Sequence, residues 1–453
     1  MLWCAGENLN KTGDQLTLLP QRTCLMLNKP KPQAETQPQA QDAGVEGKSD
    51  QKSHMISPRL HKAMQNDPFS EFLACSKYMR RQSKPGSLNF TFGKPHEMPI
   101  PGYVEALQQA AVPQNQSWFA YKTNQPSSRA IASAALKQRG LSIAPEDIFL
   151  TNGAFAGLSL CIQIVAGTGD EVIIISPPWL GYRPIIYLAD ALPVTVRMDT
   201  TTFDLDLDAI AAAITERTRA IVINSPHNPT GKIYPATTLE ALAQLLTDAS
   251  HRYGKPIYLI SDEAYSRILF DNRTYSSPCE FYPFSFLVYT YSKILMSPGQ
   301  RLGYIALPPT MPNRKQMRKA ISFAQYNLLG WCFPSALMQH ALADLEQLSL
   351  DMSHLQRKRD WMVQALQQMG YQLHAPEGTF YLLVHSPSED DFAFAELLAQ
   401  HDVFVLPGKA LEIPGYFRLT LTATEDMISR ALPKFQAAIR EQGCNTLRLK
   451  VKG

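Results

Sequence analysis

The sequence predicts an α/β fold: a three-layer large domain built on a mainly parallel sheet, and a smaller α+β domain after it. Between about 140 and 310, short apolar runs (Val172–Ile175, Ala220–Ile223, Tyr258–Ile260, Phe286–Tyr289 and Tyr304–Leu307) alternate with amphipathic stretches such as Thr238–Tyr253. Alternation of this kind marks strands joined by crossover helices that cover the sheet. Polar and charged residues cluster just after the apolar runs, where open parallel sheets bind their ligands. The 453 residues, 45% of them hydrophobic, suffice for one large and one smaller core.

In chain order, residues 1–55 differ from the rest. Their run Asn28-Lys29-Pro30-Lys31-Pro32-Gln33 is rich in Pro, Gln and charge, so a disordered or loosely attached extension is expected. An arm follows over 56–100, ending near Asn89-Phe90-Thr91-Phe92-Gly93. The large domain is expected over 101–310. Within it Ile148-Phe149-Leu150-Thr151-Asn152-Gly153-Ala154-Phe155 reads as strand, glycine turn and helix start. Free N–H groups at such a helix end bind phosphate. Ser176-Pro177-Pro178-Trp179-Leu180-Gly181-Tyr182 follows the next strand, and Asn224-Ser225-Pro226-His227-Asn228-Pro229-Thr230-Gly231 is turn chemistry after another. Ile257–Tyr265 is an apolar run ending in the acids Asp262 and Glu263. Two long helical stretches, 311–345 and 346–369, open the 311–453 region. Strands Phe380–Val384, Val403–Leu406 and Phe417–Thr422 and helices Asp390–Gln400 and Glu425–Glu441 complete it.

The richest run is Thr290-Tyr291-Ser292-Lys293, followed by Pro298-Gly299-Gln300-Arg301-Leu302-Gly303-Tyr304. A lysine at the end of a buried strand is costly unless bonded or neutralised. Forming an imine with an aldehyde uses it, and pyridoxal 5′-phosphate (PLP) is the usual partner. Arg301 is placed to hold a phosphate with its planar fork of donors. Arg418, among apolar neighbours in a β-like run, needs an anionic or polar partner.

Taken in register, these segments resemble the motifs of the class I/II aminotransferases, which are fold type I PLP enzymes. The resemblance covers roughly 86–442. It implies that Lys293 carries the cofactor and moves the proton, and that Asp262 faces the pyridine nitrogen. Holding that nitrogen protonated through a shift of about two pKa units takes ~2.7 kcal/mol. It further implies that Asn228 and Tyr265 bond the phenolic oxygen and that Trp179 stacks on the ring. Gly153, Ala154, Phe155, Thr290, Ser292 and Arg301 would form the phosphate site, with Tyr121 reaching it from the second subunit of a homodimer. Arg418 would grip the substrate carboxylate, with Gly93 on the substrate side. Phe155 departs from the family pattern: it replaces a polar residue or, in some aspartate enzymes, a lysine that reads a second carboxylate. The implied reaction is ping-pong transfer of an amino group from an L-amino acid, neutral or aromatic, to a 2-oxo acid. Another PLP enzyme of this scaffold (lyase, decarboxylase or oxidase) is the alternative, and product analysis separates the two. An effector-binding regulator would need a DNA-binding domain, which residues 1–55 do not resemble.

The net charge of +3 makes no case for nucleic acid or an anionic membrane, and no apolar run is long enough to span a bilayer. No metal site is expected: the seven cysteines lack C-x-x-C spacing and read as free thiols of a reducing compartment. With no basic-then-apolar start to direct secretion, a cytoplasmic location is expected.

Overall fold

The computed structural model describes residues 56–67, 69 and 76–451, so the N-terminal extension lies outside the described residues. The strands are β1 (Leu88–Asn89), β2 (Ile148–Thr151), β3 (Glu171–Ser176), β4 (Leu192–Arg197), β5 (Thr218–Asn224), β6 (Tyr258–Asp262), β7 (Ser285–Thr290), β8 (Gly303–Ala306), β9 (Tyr381–His385), β10 (Val403–Phe404), β11 (Leu406–Pro407) and β12 (Tyr416–Thr420). Seven of them form one sheet in the order β2-β8-β7-β6-β5-β3-β4. Neighbours are parallel throughout, except that β8 runs antiparallel to both β2 and β7.

The central strands are apolar on both faces, and their period of two divides the core. Val172, Ile174, Val222, Ile260, Phe286 and Val288 point to one side and pack with Leu158, Cys161 and Ile162 of the helix Gly153–Val165. Ile173, Ile175, Ile221, Ile223 and Leu259 point to the other and pack with Leu239, Leu242 and Leu246 of the helix Ala236–Tyr253. Each such buried aliphatic side chain contributes roughly 1.5–3 kcal/mol. A helix–sheet–helix sandwich results, and all parallel strands end on one edge.

The strand β4 escaped the sequence reading because its pattern Leu-Pro-Val-Thr-Val-Arg is half-polar, as suits the sheet's edge. The expected helix over 311–345 is a correction. A helix runs Arg314–Asn327, then short helices cover Ala336–His340 and Leu342–Glu346, before a long one at Met352–Gln368. Gly330, at φ +72°, and Pro334 break the helical pattern between them. Beyond it β9, β11 and β12 form a small antiparallel sheet, and β1 pairs in parallel with β10, Leu88 opposite Val403. The final helix extends over Glu425–Val451, longer than expected. Cys161, Cys279 and Cys332 are buried free thiols. Among the described residues no helix is long and apolar enough to cross a membrane.

Candidate active site

At the strand ends the polar residues converge. Asp262 closes β6 and is buried. Tyr182 donates its hydroxyl to Asp262 Oδ2 at 2.7 Å, and the Ala264 N–H donates to Oδ1 at 3.2 Å. Burial raises the Asp262 carboxyl; the Tyr182 bond, the Ala264 N–H and the Lys293 charge pull the other way. Tyr182 ends the Trp179 motif, so its place was readable, but its partner 80 residues away was not. The Trp179 ring lies edge-on to Phe155 at 5.2 Å and to Tyr182 at 5.4 Å between centroids. Phe155, Trp179, Tyr182 and Asp262 therefore form one wall.

Opposite it stand Lys293, Tyr265 and Arg418. Lys293 sits on the single turn Tyr291–Ile294 directly after β7, its Nζ 5.7 Å from the centre of the Tyr265 ring and 5.9 Å from that of Phe380. Arg418, in β12, is buried. Its Nη1 donates to Asn228 Oδ1 at 3.0 Å and its Nη2 to the Thr91 carbonyl at 2.9 Å. Among the described residues its buried Nε has no partner, and burial lowers its pKa. A buried donor left unpaired costs about 1–3 kcal/mol, which an incoming carboxylate would relieve. The Asn228 N–H donates to Asn224 Oδ1 at 2.8 Å, while Asn224 Nδ2 donates to the Asp262 carbonyl at 2.8 Å. With Oδ1 engaged by Arg418, the N–H groups of the Asn228 amide remain as its donors. Thr91 and Asn224 had no visible signal beyond their motifs.

The third part is a cradle. Gly153 opens its helix at φ +79°, and a Cβ built on it would lie 2.5 Å from Arg301 Nη2. The Arg301 guanidinium donates to the Pro298 carbonyl at 2.7 Å and, among the described residues, has no carboxylate partner. Burial lowers its pKa. A half-buried cation beside the free N–H groups of a 13-residue helix suits a phosphate. Ala154 is buried on the same turn. Thr290 Oγ1 and Ser292 Oγ lie 2.9 Å apart at the end of β7. Gly93 lies against Phe380 and Tyr381; a Cβ there would come within 2.7 Å of the Tyr381 hydroxyl. Tyr121 stands apart, 89% exposed and 5.1 Å from the Trp331 ring. The orphaned Arg418 donor, the glycine–arginine cradle and the buried acid opposite a lysine fit PLP and an amino acid together.

A three-layer sheet with a lysine after β7, an acid ending β6 and an arginine–glycine cradle defines a fold type I PLP enzyme. The family model for aminotransferase class I and II matches residues 85–435, and the chain belongs to that family of PLP-dependent aminotransferases. It is 30% identical to an aspartate/prephenate aminotransferase of Thermus thermophilus, over 76% of this chain and 89% of that one. It is 28% identical to an aspartate aminotransferase of Thermotoga maritima, over 84% and 98%. Among solved structures, an amino transferase from Eubacterium rectale superposes with TM-score 0.74 at 25% identity, covering 86% of this chain and 96% of that one.

Proposed function

We propose that this aminotransferase takes its amino group from a neutral or aromatic L-amino acid and passes it to a 2-oxo acid in two half-reactions at one site. The observation that carries the donor class is Phe155, whose ring meets Trp179 at 5.2 Å where a cation would be needed to read a second carboxylate. When bound, PLP supplies an aldehyde for amino groups and a ring that accepts an electron pair from the substrate's α-carbon. Arg301, the N–H groups at Gly153, Ala154 and Phe155, and the hydroxyls of Thr290 and Ser292 would hold its phosphate. Asp262 would keep a proton on the ring nitrogen, and Trp179 would cover the ring. Asn228 and Tyr265 would donate to the phenolic oxygen.

Arg418 would grip the α-carboxylate beside Gly93 and so orient the substrate for loss of its Cα proton. The Lys293 amine takes that proton as general base and returns it as general acid. The site is completed in a homodimer: Tyr121 of a second copy would reach the phosphate, and the exposed Phe119 and Trp331 beside it give an apolar surface for that contact. The arm 56–100, the region 101–310 and the region 311–453 serve as arm, cofactor domain and small domain.

A spectral donor panel tests the reading. Protein loaded with PLP is mixed with single amino acids, without an oxo acid. Phenylalanine, methionine or alanine should convert the cofactor from its aldehyde to its amine form faster than aspartate does, and a 2-oxo acid should reverse it. Preference for aspartate would overturn the donor class. Lys293→Ala should abolish the lysine-dependent visible band.

A further inference from the structure

Tyr381 has no role in the reading so far, yet it touches both halves of the site. It opens β9 and is 4% exposed. In the β9–β12 pair Tyr381 lies opposite Thr420 and Leu383 opposite Arg418, so Tyr381 and Arg418 are diagonal neighbours on one face. The Arg418 guanidinium carbon stands 4.0 Å from the centre of the Tyr381 ring, within cation–π contact. That stack fixes the guanidinium plane, while Asn228 and Thr91 take one donor from each terminal nitrogen.

The Tyr381 hydroxyl faces the other half. It lies against Gly93, where a Cβ would come within 2.7 Å of it. The Tyr265 and Tyr381 rings are 6.1 Å apart between centroids. The charged groups around Tyr381 are Arg418 from β12 and Lys293 from the turn after β7, with Asp262 beyond Tyr265. Burial pushes the Tyr381 hydroxyl up, but the neighbouring Arg418 and Lys293 charges outweigh it and leave it more acidic than usual. Tyr265, by contrast, is raised by burial.

We propose that Tyr381 is a positioning residue: its ring sets the plane of the carboxylate-binding Arg418. This rests on the role given above to Arg418. Tyr381→Phe keeps the ring, and its affinity for 3-phenylpropionate, an unreactive carboxylate, should stay within about twofold of wild type. Tyr381→Leu removes the ring and should weaken 3-phenylpropionate binding by roughly 3- to 10-fold. Tyr381→Met replaces the Leu variant if that one does not fold. Unchanged carboxylate affinity in the variant without a ring, or an equal loss in Tyr381→Phe, overturns the proposal. If Arg418→Leu leaves 3-phenylpropionate binding unchanged, the underlying reading falls and this one with it. If Arg418→Leu weakens it and the variant without a ring does not, only the role of Tyr381 is lost.

Discussion

Arg418 Nη1 donates to Asn228 Oδ1 at 3.0 Å, joining residues 190 positions apart. One bond thereby orients two groups. It engages the asparagine oxygen, leaving the amide its N–H groups as donors, and it restrains the arginine whose Nε has no partner among the described residues.

Removing the guanidinium should separate substrate binding from cofactor binding. Arg418→Leu takes away charge-assisted bonds that contribute about 1.5–3 kcal/mol each. The expected outcome is a rise in KM for amino acids of roughly 10- to 100-fold, with the lysine-dependent visible band retained. Steady-state kinetics and an absorbance spectrum check it; an unchanged KM would remove Arg418 from the carboxylate site.

The cradle predicts an asymmetry between two glycines. Gly153→Ala places a Cβ 2.5 Å from Arg301 Nη2 and forces an L-residue to φ +79°. The left-handed backbone alone costs about 1–2 kcal/mol. Displacing Arg301 should weaken PLP binding by roughly tenfold. Gly169→Ala meets the same backbone cost at φ +81°, with nothing within 4 Å of the new Cβ. That variant should lose stability yet keep its affinity for PLP. Equal affinities in the two variants, measured by equilibrium dialysis, would show that Arg301 does not hold the phosphate.

Glu263 predicts a pH dependence of stability. It is buried next to Asp262; burial pushes its carboxyl up to about 7, and bonds from Ser277 and Ser261 and the Arg139 charge offset only part of that. The folded chain therefore holds a proton that the unfolded chain releases near pH 4.5. Stability from this group is full below that value and declines as pH rises to about 7, by about 3 kcal/mol in all. Glu263→Gln abolishes the slope. The Tm of the variant, relative to wild type, should climb between pH 5 and pH 7.5. A constant difference across that range would refute the assignment.

Much of the site was legible because each anchor follows an apolar strand within a few residues. The Gly153 turn after β2, Trp179 after β3, Asn228 after β5, Asp262 ending β6 and Lys293 after β7 are local strand–loop patterns. What escaped the sequence is what strands bring together from far apart. Tyr381 looked like one more aromatic in an apolar run, and only the pairing of β9 with β12 sets it beside Arg418. Thr91 contributes a carbonyl, which no side-chain pattern encodes. The edge strand β4 lacked an apolar run, and Gly330 and Pro334 outweighed the helical periodicity around them.

The antiparallel strand β8 has a consequence for how the protein acquires its cofactor. It lies between β2 and β7, bringing Arg301, just before its start, against Gly153, just after the end of β2. Roughly 150 residues of chain form the closed loop between them, including the strands that supply the stacking ring and the acid. Closing so long a loop carries an entropic cost, and pairings so far apart in sequence form slowly. The anion cradle proposed above is complete only when β8 is seated, so tight uptake of the cofactor is expected only of chains whose sheet is complete.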